Sequence, residues 1–343
     1  MIDLIPSSEE QEVADSIAAF LSDNLPVERL RSDRGRRGKY EPEVWAQLAE
    51  LGCFGLSLPE AQGGVGLTLA EETLAFREYG RYLVSPAMLG SVLAVRIAAR
   101  AGRAELVTEI LEGRLRAGIA NALHGATLGM RGASGEFHLI DVRPGDLVVG
   151  WNDSGAALFG AGAFAGAETK ASLDHSVSLA RVNATNVEPL AWVSAQDEPL
   201  ALVAAVLQAA LLVGMQEAVR DMAVSQAQTR VQFGVPIGTF QGVKHKVADL
   251  GLWAEASWSQ TIYAALALRA GAVDAAFQAH NAKLIASQSA LEGSRVNIQL
   301  HGGMGFTAEL NAHLFLKRSH LLINLGESTR ELQKKLLTLP LAD

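Results

Sequence analysis

The chain has 343 residues, 49% of them hydrophobic and 19% charged, with a formal charge of -8. This composition belongs to a folded protein with room for two or three domains, and excludes a disordered or collagen-like chain. The acidic balance argues against non-specific nucleic-acid binding, which needs clustered Lys and Arg to neutralise phosphates.

No uninterrupted apolar run of about 18 residues occurs, and the opening MIDLIPSSEE is acidic, so neither a membrane span nor a signal peptide is expected. The one cysteine, Cys53, lies in the apolar run LGCFGLSL and is expected to be a buried small hydrophobe in a reducing, cytoplasmic setting.

Residues 1 to about 115 read as helices. Ser7 with Glu10 three residues on is a capping-box signal, since each side chain can accept from an otherwise unpaired N–H. Val13, Ile17, Phe20 and Leu21 then recur at helical spacing, and the stripe ends before Pro26. A second helix is expected from near Pro42, with Val44, Trp45, Leu48 and Leu51 inward and a stop at Gly52. Between them the basic run Arg29 to Lys39 reads as a solvated loop, with contact to an anionic ligand or partner as the alternative. LPEAQGGVG, Leu58 to Gly66, reads as a loop, because each of its glycines costs a helix about 1 kcal/mol.

From about Leu115 to Leu190 the texture changes. Helical periodicity fails, and FHLI, DLVVG, AALF and SVSLARV stand between turn residues as four short strand candidates. Pro189 and Pro199 bracket an expected linker. Beyond Leu200, long helices return: one nearly apolar all round from Leu202 to Val213, one carrying Val243, Val247, Leu250, Ala254 and Trp258, and a third over 275–300. Short connections between them favour an antiparallel bundle. The expected division is a helical domain over 1–115, a small β domain over 116–190 and a helical bundle over 198–343.

Two segments could carry a dinucleotide. Arg230, ahead of a Gly-x-Pro turn, presents a planar fork suited to pyrophosphate, Phe233 can cover an aromatic ring, and Gln241 can donate and accept. A capped turn with a surface salt bridge fits the same residues. In NIQLHGGMGFTAEL, Gly302, Gly303 and Gly305 leave backbone N–H groups open to a diphosphate, although a helix ending on glycine reads identically.

Arg230, Phe233, Gly234, Pro236, Ile237, Phe240, Gln241 and the Ala248–Asp249 pair resemble the C-terminal signature of the acyl-CoA dehydrogenase family. Gln299, Gly302, Gly303, Gly305 and Phe306 match a second family segment, and LGCFGLSLPEAQGGVGLTLAE resembles the family's N-terminal helix-loop-helix. The resemblance implies a mainly α fold with a small middle β domain and a C-terminal four-helix bundle. It also implies FAD, whose adenosine diphosphate end, often that of the neighbouring subunit's FAD, would meet Arg230, Phe233 and Gln241, with Gln299, Gly302, Gly303 and Thr329 as further cofactor contacts. The implied substrate is an acyl-CoA, the implied acceptor an electron-transfer flavoprotein, and the implied assembly a dimer or tetramer.

The family's reaction needs a carboxylate to take the substrate α proton. Matching LGESTRELQKK to the family's C-terminal segment makes Glu327 that base, while counting without a gap from Gly302–Gly303 puts Gly326 there instead. GIANALHGATLGMRGASGEF lacks the family's segments that hold the flavin ring. Two expectations therefore stand: a self-sufficient α,β-dehydrogenase, or the shortened subunit of a mixed oligomer, a type that in this family includes members acting on steroid side-chain CoA thioesters.

Overall fold

A computed structural model of the chain describes residues 4–31 and 42–341. It groups into two compact units that alternate along the sequence: Met1–Ser32, Thr73–Val84 and Ala205–Asp343 in one, Asp33–Glu72 and Ser85–Ala204 in the other. The grouping follows contacts, so it crosses the divisions drawn from sequence texture at 115, 190 and 198.

The first unit is helical. Its first helix, α1 (Ser8–Asn24), opens on the expected capping box, with the Ser7 side chain accepting from Glu10 N–H and the Glu10 carboxylate accepting from Ser7 N–H, and it buries Ala14, Ile17 and Leu21. The second half of α3 (Leu69–Arg81) and most of α6 (Leu200–Thr229) also belong to it. These two helices cross closely at a pair of glycines. A Cβ on Gly80 would meet the Leu211 carbonyl oxygen at 2.0 Å, and one on Gly214 would meet that of Arg77 at 1.8 Å. Beside the crossing, Arg81 pairs with Glu217 at 3.0 Å and Asp221 at 2.9 Å, and the Arg77 guanidinium sits 4.5 Å from the Trp258 ring centroid.

The bundle is completed by α7 (Gln241–Arg269), α8 (Ala275–His301), α9 (Ala312–Leu322) and α10 (Thr329–Leu336). α6 is long and apolar enough to cross a bilayer, but 83% of its most apolar window is buried inside the fold. Of the basic run, Arg29 and Arg31 are described. Arg29 donates to Leu25 O at 2.6 Å and Tyr82 O at 3.1 Å, and Arg31 to Asn311 Oδ1 at 2.6 Å, so both tie helix ends together; Ser32 to Lys39 lie outside the described residues.

The second unit holds α2 (Pro42–Glu50), α4 (Ala87–Arg100), α5 (Ala104–Leu111) and an eight-stranded sheet. The strands are β1 (Ala117–Ala122), β2 (Thr127–Gly129), β3 (Gly132–Ile140), β4 (Leu147–Asn152), β5 (Gly155–Gly160), β6 (Glu168–Lys170), β7 (Leu179–Val187) and β8 (Ala191–Ser194), in order β6-β7-β3-β1-β4-β5-β8 with β2 on β3. Among the described strands, only β1 and β4 pair in parallel.

The four strand candidates fall in or against β3, β4, β5 and β7. The sheet is wider than expected because AGIANA and the short β2, β6 and β8 lack β-branched runs. β8 also sits inside the segment taken as a linker, where it pairs with β5. Phe137, Phe159 and Phe164 pack edge to face at its core, with centroids 5.3 to 6.1 Å apart. Gly90 of α4 lets the helix rest on β1, where a Cβ would lie 2.3 Å from Ala117 O. Cys53 is fully buried, as expected.

Candidate active site

α6 ends at Thr229, and the chain reverses at once. β9 (Val231–Gln232) and β10 (Val235–Pro236) form a two-residue hairpin whose turn is Phe233 at φ +53° and Gly234 at φ +81°. Two successive positive φ values match the twist of a tight hairpin, and Gly supplies the second without strain. Phe233 adopts its value at a cost of order 1 kcal/mol or more, and its side chain is 94% exposed. The 3₁₀ turn Ile237–Thr239 then folds back, with Ile237 N–H donating to Arg230 O at 2.8 Å and Gly238 close against Ala227 O of α6.

This reversal gathers Arg230, Phe233, Phe240 and Gln241 on one exposed lobe, where the two rings meet edge to face at 6.1 Å. Among the described residues, neither the Arg230 guanidinium nor the Gln241 amide has a side-chain hydrogen bond. No carboxylate occurs between Asp221 and Asp249, while Lys244 and Lys246 stand exposed on the first turns of α7, so the lobe is electropositive on an acidic chain.

The second segment closes α8. Gln299 is exposed, whereas His301 is buried, with its Nδ1 2.9 Å from Asn297 O, in keeping with a polar helix-end role. Gly302 at φ +63° stops the helix, and a 3₁₀ turn Gly302–Phe306 follows. A Cβ on Gly302 or Gly303 would meet nothing within 4 Å, but one on Gly305 would meet Ile298 O at 2.6 Å. Gly305 thus serves packing, and Gly302 and Gly303 present open backbone. Met304 and Phe306 beside them are 42% and 74% exposed.

Glu327 lies elsewhere. It follows the turn at Gly326 (φ +72°) and faces the start of α8, where His280 Nδ1 stands 3.1 Å from its Oε2; Lys335 of α10 holds its Oε1. Burial alone would raise this carboxyl, but the His280 and Lys335 interactions outweigh it and hold the pKa at about 2. Lys283, also on α8 and fully buried, donates to Leu325 O at 2.5 Å and Glu327 O at 3.0 Å. Burial lowers its pKa to about 8, against the attraction of Glu327 and Glu331.

The 19 residue steps of α8 from His280 to Gln299 span roughly 28 Å, so Glu327 and the Gly302 segment sit towards opposite ends of that helix. Thr329 is the first residue of α10, whose capping box is made by Ser328 and Glu331.

His280, Lys283 and Lys335 were not picked out from sequence. The available signal was a lysine within a row of small residues, Ala279, Ala282, Ala286 and Ala290, all of which are buried on one face of α8.

An exposed arginine without a side-chain partner among the described residues, an exposed ring, two exposed amides and an open glycine pair are the donors and surfaces that a nucleoside diphosphate needs. Comparison with known proteins shows the family. The acyl-CoA dehydrogenase N-terminal domain matches residues 7–116 and the C-terminal domain 192–338. The acyl-CoA dehydrogenase IpdE2 of Mycobacterium tuberculosis is 32% identical over 342 residues, covering 97% of this chain and 98% of that protein.

Among solved structures, a chain of the Tcur3481-Tcur3483 steroid acyl-CoA dehydrogenase G363A variant superposes with a TM-score of 0.82 at 25% identity, covering 96% of this chain and 97% of its own. One from the ChsE4-ChsE5 complex of Mycobacterium tuberculosis gives 0.80 at 21% identity, covering 99% and 100%. The chain belongs to the acyl-CoA dehydrogenase family, oxidoreductases that act on acyl-CoA.

Proposed function

We propose that this chain takes part in the α,β-dehydrogenation of an acyl-CoA thioester with FAD, as one subunit of an oligomer that passes its electrons to an electron-transfer flavoprotein. The observation that carries this reading is the solvent-facing lobe of Arg230, Phe233 and Gln241. It displays polar groups with no side-chain partner among the described residues, and so fits a cofactor diphosphate.

In this reading Arg230 binds the diphosphate through its fork, Phe233 and Phe240 cover an aromatic face, and Gln241 and Gln299 fix orientation by donating and accepting. Gly302 and Gly303 admit the diphosphate to their N–H groups, while Thr329, towards the other end of α8, offers its hydroxyl to a different part of a cofactor. FAD, when bound, supplies the acceptor for the substrate β hydride. The exposed apolar side chains of Val231 in the lobe, at 54%, and of Leu252 further along α7, at 66%, support burial against another subunit.

A second reading is favoured by the state of Glu327. A proton acceptor needs a free lone pair and a pKa near the working pH, whereas one Glu327 oxygen is held by the Lys335 ammonium and the other lies 3.1 Å from the His280 imidazole. This supports a mixed oligomer in which a full-length partner supplies the base and flavin-ring contacts. The names of the heteromeric ChsE4-ChsE5 and steroid-acting relatives make a steroid-derived CoA thioester the first substrate to try.

Flavin-to-protein stoichiometry of the chain purified alone and after co-expression with a full-length family member tests both. Near-full flavin alone supports a self-sufficient enzyme; flavin acquired only with the partner supports the mixed oligomer. No flavin in either preparation refutes the cofactor assignment.

A further inference from the structure

A second tied titratable cluster in the helical unit, apart from the Arg81–Glu217–Asp221 pairs, surrounds Glu327. His280 and Lys283 come from α8, Lys335 from α10, and Glu331 lies one turn into α10, where it caps Ser328. The loop Leu325–Ser328 is held by main chain as well as side chain, because buried Lys283 spends two of its three donors on the Leu325 and Glu327 carbonyls. Leu325 on one side of the turn and Leu332 on α10 are fully buried.

We propose that Glu327 is a positioning residue, joined with His280, Lys283 and Lys335 in a latch that fixes the α9–α10 loop and docks α10 on α8, and that its carboxylate does not take the substrate proton. Three features carry the inference. Oε1 is held by Lys335 of α10 while Oε2 lies 3.1 Å from His280 Nδ1 of α8, the loop backbone is pinned from inside the bundle by buried Lys283, and a charge-assisted contact is about twice as strong as a neutral one. The depressed carboxyl pKa agrees with the geometry.

The cost to the chemistry, that this chain brings no base of its own at Glu327, rests on the dehydrogenase reading above; the latch itself does not. Both are separable by experiment on the purified chain without added flavin. Amide hydrogen exchange over residues 326–336 should speed by about 10-fold or more in Glu327→Gln and in Lys335→Met, with exchange elsewhere unchanged. Lys335→Arg, which keeps the charge, should restore protection. A carbon-13 titration of the Glu327 carboxyl should place its midpoint below pH 4. Unchanged exchange in Glu327→Gln, or a midpoint between pH 5 and 8, overturns the latch and returns Glu327 to the list of bases. Flavin content is read independently, so either inference can fail without the other.

Discussion

The crossing of α3 and α6 gives a sharp test of the packing. Gly214→Ala places a Cβ 1.8 Å from Arg77 O and 2.9 Å from Arg81 N, both backbone atoms that no rotamer change can move aside. The closest tolerable Cβ contact is 3.0 Å, so the helices must part by 3.0 − 1.8 = 1.2 Å at this point.

A separation above 1 Å forfeits a quarter to a half of each dispersion contact along the seam, and overpacking typically costs ~1–3 kcal/mol. Alanine returns ~1 kcal/mol of helix propensity over glycine. Because rigid main chain meets the new methyl, the cost falls at the upper end, and the net loss is about 2 kcal/mol, or roughly 4–8 °C in melting temperature.

Gly251→Ala is the internal control, since this glycine lies within α7 and an added Cβ there meets nothing within 4 Å. It should gain about 1 kcal/mol from propensity alone. Thermal melts followed by circular dichroism, with urea titrations alongside, read both. Equal stability of the two variants would refute the claim that Gly214 is required by close approach rather than tolerated.

Arg230→Ala should leave the melting temperature within a degree or so of wild type, because the guanidinium has no side-chain partner among the described residues, yet weaken flavin binding by about 10- to 100-fold, as expected for one charge-assisted bond. Flavin fluorescence titration checks it, and undiminished affinity would remove Arg230 from the site. Gly303→Ala should spare the apoprotein and impair flavin uptake, whereas Gly305→Ala should destabilise the apoprotein, its Cβ being 2.6 Å from Ile298 O; matching behaviour of the two in a melt would contradict their different surroundings.

The pH dependence has two limbs. Glu327 is held at about 2, below its ordinary 4.5, so its stabilisation is present above pH 4.5 and lost as pH falls towards 2. Lys283 is lowered to about 8 from 10.5, so the unfolded chain binds more protons in between, and its penalty, full below pH 8, is relieved as pH rises to 10.5. Melting temperature against pH, in wild type and Glu327→Gln, should differ on the acid limb; identical acid limbs would remove the Glu327 contribution.

Local signals were legible where the cause is local. The Ser7–Glu10 box, the inward Trp45 and Leu48 of α2, the stop at Gly302 and the apolar circumference of α6 each depend on neighbours within a turn, and each is found. The segments carrying Arg230 and Gly302 could be identified as exposed turns for the same reason. β1 escaped because AGIANA is a strand by virtue of its partners β3 and β4, not its own propensities.

The environment of Glu327 escaped more completely. Its partners lie 47 residues upstream on α8 and 8 downstream on α10, and no pattern in LGESTRELQKK distinguishes a tied carboxylate from a free one.

The alternation of the two units along the sequence bears on how the chain is made. A ribosome delivers α1 and α3 early, but the partners with which they form the helical unit begin at Ala205, after the whole sheet has been synthesised. The N-terminal helices must therefore wait, apolar faces exposed, through the synthesis of more than 100 intervening residues, while the sheet unit can close once Ala204 has emerged. No single cut releases either unit intact. Expression of residues 205–343 alone would omit α1 and the second half of α3, and would leave the glycine seam of α6 uncovered.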